Sequence, residues 1–181
     1  HIYADFNYMH TNDLGCMEFS GRYPDNLHEE INNYSIVAGV VARQQQFDII
    51  HSHDWLTYPA GIHAKQISGK PLVIHCVKAF NELIELKKKY RPQMPWVVHG
   101  FRNNLHIACR LMQENIYFSL GERYQPDVLR HMPLECLLAE TDESTQDIRM
   151  VIGRMAETKN VEVSFLCDRI DENARKIFFR Q

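Results

Sequence analysis

The sequence has no apolar run that approaches the roughly 20 residues needed for a membrane-spanning helix, and no secretory signal peptide opens it. Its five cysteines form no Cys-x-x-Cys pair, which argues against a structural zinc site and against a disulfide framework. The net charge is −3, so neither sign of charge dominates. This argues against binding of nucleic acid through the overall charge of the chain. The cysteine usage fits a reducing compartment, so we expect a cytoplasmic protein with no membrane partner.

The composition that remains is that of a globular domain, with 45% hydrophobic and 24% charged residues. Apolar strand patterns begin near residues 47, 71, 95, 116 and 136, and a helical pattern or compact loop follows each. This alternation predicts one α/β domain with a mainly parallel sheet. A closed eight-stranded barrel usually needs about 250 residues. The chain therefore forms either an incomplete TIM-type barrel or an open Rossmann-like sheet.

Local patterns give provisional element boundaries. Residues 1–6 are compatible with a strand, and residues 10–26 carry turn formers without periodicity. Apolar spacing predicts a helix from Leu27 to about residue 43, followed by a strand over residues 47–51. The next helix is expected to begin near Pro59, because proline suits a first helical turn. A capping-box pattern predicts another helix opening at Ser144.

Three predicted strands end on residue types that bind metals, namely His75, His99 and Asp142. Side chains at the carboxyl ends of neighbouring parallel strands lie close together at one edge of the sheet. Asp142 lies between Glu140 and Glu143 after an apolar run, where a carboxylate needs a partner such as a cation. These residues predict a site for Mg²⁺, Mn²⁺ or Zn²⁺. The alternative is that each histidine is a hydrogen-bonded structural residue.

A second histidine pattern, His51-Ser-His53, lies at the end of the strand predicted over residues 47–51. Two imidazoles separated by one residue lie on the same side of an extended chain, an arrangement that suits two metal ligands. With His75, His99 and Asp142 they would give a nearly complete ligand set. The alternative is that His51 packs at the strand end while His53 begins a loop.

Residues 71–181 resemble the C-terminal half of the TatD-family metal-dependent deoxyribonucleases. The segments that carry this resemblance are Pro71-Leu-Val-Ile-His-Cys76, Val97-Val-His-Gly-Phe101, Tyr117-Phe-Ser-Leu-Gly121, Leu138-Ala-Glu-Thr-Asp142 and Glu172-Asn-Ala-Arg-Lys-Ile-Phe178. The resemblance implies a TIM-type barrel with His75, His99 and Asp142 as metal ligands in a phosphodiesterase site. The glutamate segment of that family is absent here, which leaves Glu122 and Glu143 as candidates to replace the lost carboxylate.

Residues 21–75 are instead similar to the N-terminal Rossmann domain of glycosyltransferases related to glycogen synthase. The segments concerned are Asp48-Ile-Ile-His-Ser-His-Asp-Trp-Leu-Thr-Tyr-Pro-Ala-Gly61 and Ser68-Gly-Lys-Pro-Leu-Val73. The two resemblances divide the domain into a glycosyltransferase-like segment over residues 1–70 and a TatD-like half barrel over residues 71–181. They also imply that His51 and His53 need not share the register of the metal-binding strands.

The leading hypothesis is a divalent-metal hydrolase that acts on DNA or on another nucleic acid or small phosphodiester. His75 and His99 would hold the metal, Asp142 would be a ligand and proton acceptor, and Arg102 or Lys78 would offset phosphate charge. One alternative is a glycosyltransferase-like domain that binds a sugar nucleotide. Another is an inactive scaffold in which a second copy covers an open sheet edge.

Overall fold

The computed structural model describes residues 27–91 and 95–179. The expected strand at residues 1–6 and the expected loop at residues 10–26 lie outside these ranges. No helix in the described part of the chain is both long and apolar enough to cross a membrane.

Helices and strands alternate along the described chain, as the sequence predicts. The helices are α1 (Leu27–Gln44), α2 (Asp54–Ser68), α3 (Phe80–Tyr90), α4 (Leu105–Gln113), α5 (Pro126–His131), α6 (Ile148–Lys159) and α7 (Val163–Phe178). The strands are β1 (Ile50–His53), β2 (Leu72–His75), β3 (Trp96–His99), β4 (Ile116–Leu120) and β5 (Leu137–Ala139), and a 3-10 turn at Leu134–Cys136 precedes β5. The strands therefore lie within three residues of their predicted positions.

The five strands form one parallel sheet in the order β1-β2-β3-β4-β5. Neighbours in the sheet are thus neighbours along the chain. A doubly wound sheet reverses its strand order at a switch point, and this sheet has no reversal. The order is that of consecutive strands in a TIM-type barrel, so the sheet is an incomplete barrel rather than a Rossmann-like sheet.

The two faces of the sheet pack differently because successive strand side chains alternate between them. The outer face carries the large apolar residues of the main core, which helices α2 to α7 cover: Leu72, Ile74, Trp96, Val98, Ile116, Phe118 and Leu137. The inner face carries a smaller cluster in which Ile177 of α7 packs on Val97, Tyr117 and Leu138. This apolar layer lies directly beneath the carboxyl ends of the strands.

The first βα unit differs from the sequence-based boundaries. The predicted strand over residues 47–51 is wrong by three residues, and helix α2 begins at Asp54 rather than near Pro59. Pro59 is the sixth residue of α2, where it cannot donate a hydrogen bond to the carbonyl of Trp55 and its ring crowds that carbonyl. Burial of Tyr58 and Ile62 against the sheet compensates for that loss.

The capping prediction at Ser144 is also wrong. Helix α6 begins at Ile148, and Asp147, three residues after Ser144, is its N-cap, accepting a hydrogen bond from the backbone N–H of Arg149 at 2.8 Å. A carboxylate is a strong cap because it also favours the positive end of the helix dipole. Ser144 instead closes the preceding turn through a hydrogen bond from the N–H of Gln146.

Candidate metal centre

Three adjacent strands present a histidine at the same level of the sheet. The register pairs His53 of β1 with His75 of β2, and His75 with His99 of β3. Directly paired residues in a sheet point to the same face. The ring centroids of His53 and His75 are 5.5 Å apart, and those of His75 and His99 are 4.8 Å apart. Parallel pairing therefore converts three separated histidines into one row of imidazoles.

His51 adds a fourth imidazole to this row. It lies two residues before His53 on the same strand, and its ring centroid is 4.1 Å from that of His53 and 4.6 Å from that of His99. Desolvation, followed by the neighbouring imidazoles of His99, His53 and His75, lowers the pKa of His51, while Asp142 opposes that shift. Both histidines of the His-x-His pattern thus belong to β1, and the expectation that His53 begins a loop is wrong.

His75 and His99 contact each other directly. The distance from His75 Nδ1 to His99 Nε2 is 3.2 Å, which is a hydrogen bond between two imidazoles. A neutral imidazole has one N–H, so one ring donates and the other accepts. The remaining nitrogen of His99, Nδ1, lies 3.7 Å from Glu140 Oε1.

Glu140 is fixed in place by the backbone. Its Oε1 accepts a hydrogen bond of 2.7 Å from the N–H of Gly100, directly after strand β3. Gly100 has a φ of 62°, a conformation that glycine adopts at little cost. This turn lets the backbone N–H reach the carboxylate. The side chain of Glu140 is 15% exposed, so it is a partly buried acceptor beside His99.

His99, Glu140 and Asp142 together form a group that can hold a metal ion. One ligand atom from each lies within 4.8 Å of the others. Asp142 is exposed and has a φ of 47°, and residues other than glycine adopt such values at a cost. Nitrogen and carboxylate donors of this kind bind divalent metals. The residues present therefore fit a divalent cation.

The remaining predicted residues line the approach to this group or lie outside it. A cavity of about 1020 Å³ opens beside His75 and Asp142, and Arg102 and Glu143 are on its wall. Glu122 lines a smaller adjoining cavity of about 80 Å³ with Glu140 and Asp142. Lys78 is exposed beyond β2 and lines neither cavity.

Sequence reasoning missed Glu140 as a member of the site. Glu122 and Glu143 were the expected replacements for the absent carboxylate, yet the structure groups Glu140 with His99 and Asp142. A signal was present, because Glu140 precedes Asp142 by two residues and such residues lie on one side of an extended chain. Its contact with Gly100, 40 residues away, was not visible in the sequence.

The sequence model of the family described as TatD related DNase matches residues 62–179. The chain belongs to this family. Three curated relatives agree. Deoxyribonuclease Tat-D of Schizosaccharomyces pombe is 31% identical over 86 residues, which cover 44% of this chain and 28% of that protein. The 3'-5' ssDNA/RNA exonuclease TatD of Pectobacterium atrosepticum is 29% identical over 134 residues, which cover 60% of this chain and 52% of that protein.

The third relative extends the similarity along most of the chain. It is an uncharacterized metal-dependent hydrolase of Mycoplasma genitalium, 19% identical over an alignment of 201 residues that covers 94% of this chain and 76% of that protein. Among solved structures, a TatD homolog of Escherichia coli K12 has a TM-score of 0.64 at 17% identity, covering 81% of this chain and 70% of its own. A TatD-family hydrolase of Entamoeba histolytica has a TM-score of 0.60 at 16% identity, covering 67% and 55%.

These comparisons support the fold and the family. This TatD-related chain spans only 28% and 52% of the first two curated relatives. The resemblance of residues 21–75 to a glycosyltransferase domain receives no support from them. Strand β1, which contains His51 and His53, pairs with β2 in the same parallel sheet instead.

Proposed function

We propose that the chain is a divalent-metal-dependent hydrolase of phosphodiester bonds, with DNA as its substrate. The observation that carries this proposal is the group formed by His99, Glu140 and Asp142 at the carboxyl ends of parallel strands. Asp142 of this group lines a cavity large enough for an extended phosphodiester, which His75 and Arg102 also line. The names of the curated relatives, a deoxyribonuclease and an ssDNA/RNA exonuclease, suggest the same class of substrate.

Each residue has a distinct part in this proposal. His75, His99 and Asp142 hold the cation, with Glu140 as the additional carboxylate beside them. A bound divalent cation lowers the pKa of water and offsets charge on a phosphate oxygen. Arg102 on the cavity wall donates hydrogen bonds to the phosphate. Asp142, which is exposed toward the cavity, accepts the proton of the attacking water.

Two roles from the sequence analysis become secondary. Lys78 is exposed outside both cavities, so it contributes to the electrostatic attraction of the substrate rather than to contact with the scissile phosphate. Glu122 lines the small cavity, and its Oε1 lies 3.5 Å from Nε of Arg123. Its carboxylate therefore partly neutralises the guanidinium of Arg123. Coverage of an open sheet edge by a second copy stays a prediction, which light scattering would check.

The decisive experiment measures hydrolysis of a chromogenic phosphodiester and of a labelled single-stranded oligonucleotide with Mg²⁺, Mn²⁺, Zn²⁺ or EDTA. We expect metal-dependent turnover by the wild type and a loss of more than about 100-fold in Asp142→Asn, because metal ligands contribute at least as much as their supporting residues. Asp171→Asn is the matched control, since Asp171 is exposed on α7 and pairs with Arg175. Equal turnover in the wild type and Asp142→Asn, or none in folded wild type, would contradict the proposal.

A further inference from the structure

The large cavity beside Asp142 has one side that is formed by helices. Arg102, Asp142 and Glu143 line both this cavity and the small one at Glu140, so these three residues mark the end that adjoins the metal group. Part of the remaining lining comes from the beginnings of α3 and α4 and from α5. We call this part the helix-side wall and define it by six residues: Phe80, Asn103, Asn104, Leu105, Val128 and His131.

The helix-side wall has a rigid apolar surface. Phe80 is 4% exposed and Val128 is 2% exposed, so both are anchored in the main core where they line the cavity. The ring of Phe80 also makes an edge-to-face contact with Phe101, with centroids 5.5 Å apart. Leu105, the first residue of α4, is half-buried and packs against the same core. A flat apolar group can therefore lie against side chains that packing already holds in place.

The polar groups of the wall can both accept and donate hydrogen bonds. His131 Nδ1 donates to the backbone carbonyl of Asp127 at 2.8 Å, because a carbonyl only accepts, and a neutral ring then has its lone pair on Nε2. The side-chain oxygens of Asn103 and Asn104 accept from the backbone N–H groups of Asn104 and Ile107, at 2.7 Å and 3.0 Å. Within residues 27–91 and 95–179 neither of these amide nitrogens has a partner. The wall therefore offers one acceptor and two amide donors beside its apolar surface.

We propose that the helix-side wall is a subsite for a nucleobase, which it holds when the phosphate of the same nucleotide lies at Arg102. This inference rests on the proposed function, because it names the part of the substrate that this side of the cavity takes. Arg102 directly precedes Asn103 in the chain, so the phosphate position and the wall adjoin each other. A nucleobase has apolar faces and an edge of donors and acceptors, which match the two features of the wall. A small alcohol group on the phosphate would leave Phe80, Leu105 and Val128 uncovered.

The test compares nucleotides with a phosphosugar that lacks the base. Equilibrium dialysis in Mg²⁺ measures the binding of dAMP, dTMP and 2-deoxyribose 5-phosphate. For the wild type we expect dAMP or dTMP to bind at least about 10-fold more tightly than the phosphosugar, because contact with the faces of a base contributes on that scale. Leu105→Trp, which fills the wall, should remove this difference. His131→Ala should weaken nucleotide binding by about 3–10-fold, and both variants should bind the phosphosugar as the wild type does. His106→Ala, which changes an exposed histidine of α4 that lines neither cavity, is the matched control.

A kinetic measurement separates this inference from the proposed function. We expect kcat/KM for thymidine 5′-(4-nitrophenyl phosphate) to exceed that for methyl 4-nitrophenyl phosphate by at least about 10-fold, and only the former to fall in Leu105→Trp and His131→Ala. Equal binding of nucleotides and phosphosugar by the wild type, or equal losses on both substrates in His131→Ala, would overturn the nucleobase subsite and leave the hydrolase proposal in place. Nucleotide binding that depends on Leu105 and His131, without turnover by folded wild type, would support the subsite and overturn the hydrolase. Circular dichroism checks that each variant is folded, which we expect for His131→Ala because that side chain is exposed.

Discussion

Helix α2 approaches strand β1 so closely at Gly61 that an added methyl group should displace the strand. Gly61 is buried in α2 and faces Ser52, which lies between His51 and His53 and is 2% exposed. A Cβ at Gly61 would overlap Ser52 Oγ and would lie 3.2 Å from Ser52 Cβ and 3.1 Å from Leu72 Cδ1. The Cβ contact cannot be relieved by rotating the hydroxyl, so β1 or α2 has to move.

The expected size of the effect follows from two opposing contributions. Alanine favours the helical conformation over glycine by about 1 kcal/mol, whereas overpacking a core costs about 1–3 kcal/mol. We expect the upper part of that range because the overlap involves atoms next to the backbone, so Gly61→Ala should lower the free energy of unfolding by about 2 kcal/mol. At roughly 2–4 °C per kcal/mol for a domain of this size, Tm should fall by about 4–8 °C.

Urea denaturation and thermal unfolding in EDTA measure this effect, and Gly153→Ala is the matched control. Nothing lies within 4 Å of a Cβ at Gly153 in α6, so that variant should gain up to about 1 kcal/mol from helix propensity. Combining Gly61→Ala with Ser52→Ala removes the overlapping hydroxyl but leaves the contacts with Ser52 Cβ and Leu72 Cδ1, so it should recover only part of the loss. If Gly61→Ala stabilises the protein as Gly153→Ala does, the close approach of α2 to β1 is refuted.

Three further predictions concern polar groups that are buried or partly buried. Asn173 donates from Nδ2 to the carbonyls of Leu134 at 2.6 Å and Leu137 at 2.8 Å, so Asn173→Ala should cost about 1–3 kcal/mol in urea denaturation, and an unchanged midpoint would contradict this. Burial lowers the pKa of Lys87 from 10.5 to about 8. Between about pH 8 and pH 10.5 the unfolded chain therefore binds more protons than the folded protein, and the free energy of unfolding should increase with pH over this range. Lys87→Met should flatten that increase, and parallel profiles for the two proteins would disprove the assignment. Glu140→Gln retains an acceptor for the N–H of Gly100 but loses the charge near His99. It should weaken Zn²⁺ binding by about 10–100-fold without unfolding the protein. Equal affinity of the two proteins in equilibrium dialysis would exclude a role of Glu140 in metal binding.

The fold was predictable where strand and helix patterns are strong. The positions of β2, β3 and β4 follow from short apolar runs that end before a histidine or glycine, and the observed strands agree closely with them. The start of α2 was not predictable, because Pro59 and the polar residues before it resemble a loop in the sequence. Packing of Tyr58 and Ile62 on the sheet outweighs that local preference.

The choice between a barrel and a Rossmann-like sheet also needed the structure. Both have alternating strands and helices, and strand order alone distinguishes them. The same limit applies to His53, whose pairing with His75 depends on the register of two strands 22 residues apart. A local sequence pattern identifies a His-x-His pair, but it does not say which strand will lie beside it.

A chain of polar contacts connects the two ends of the candidate centre. Gly100 fixes Glu140, Glu140 lies beside His99, and His99 is hydrogen-bonded to His75. A neutral imidazole passes on a choice of tautomer, because a proton on one nitrogen leaves the lone pair on the other. A proton on Nδ1 of His99, on the side of Glu140, would leave Nε2 to accept from Nδ1 of His75, although Glu140 and His75 are separated by more than 60 residues of chain. A site built in this way distinguishes its donors by their protonation, and the four imidazoles need not be equivalent even though they share one face of the sheet.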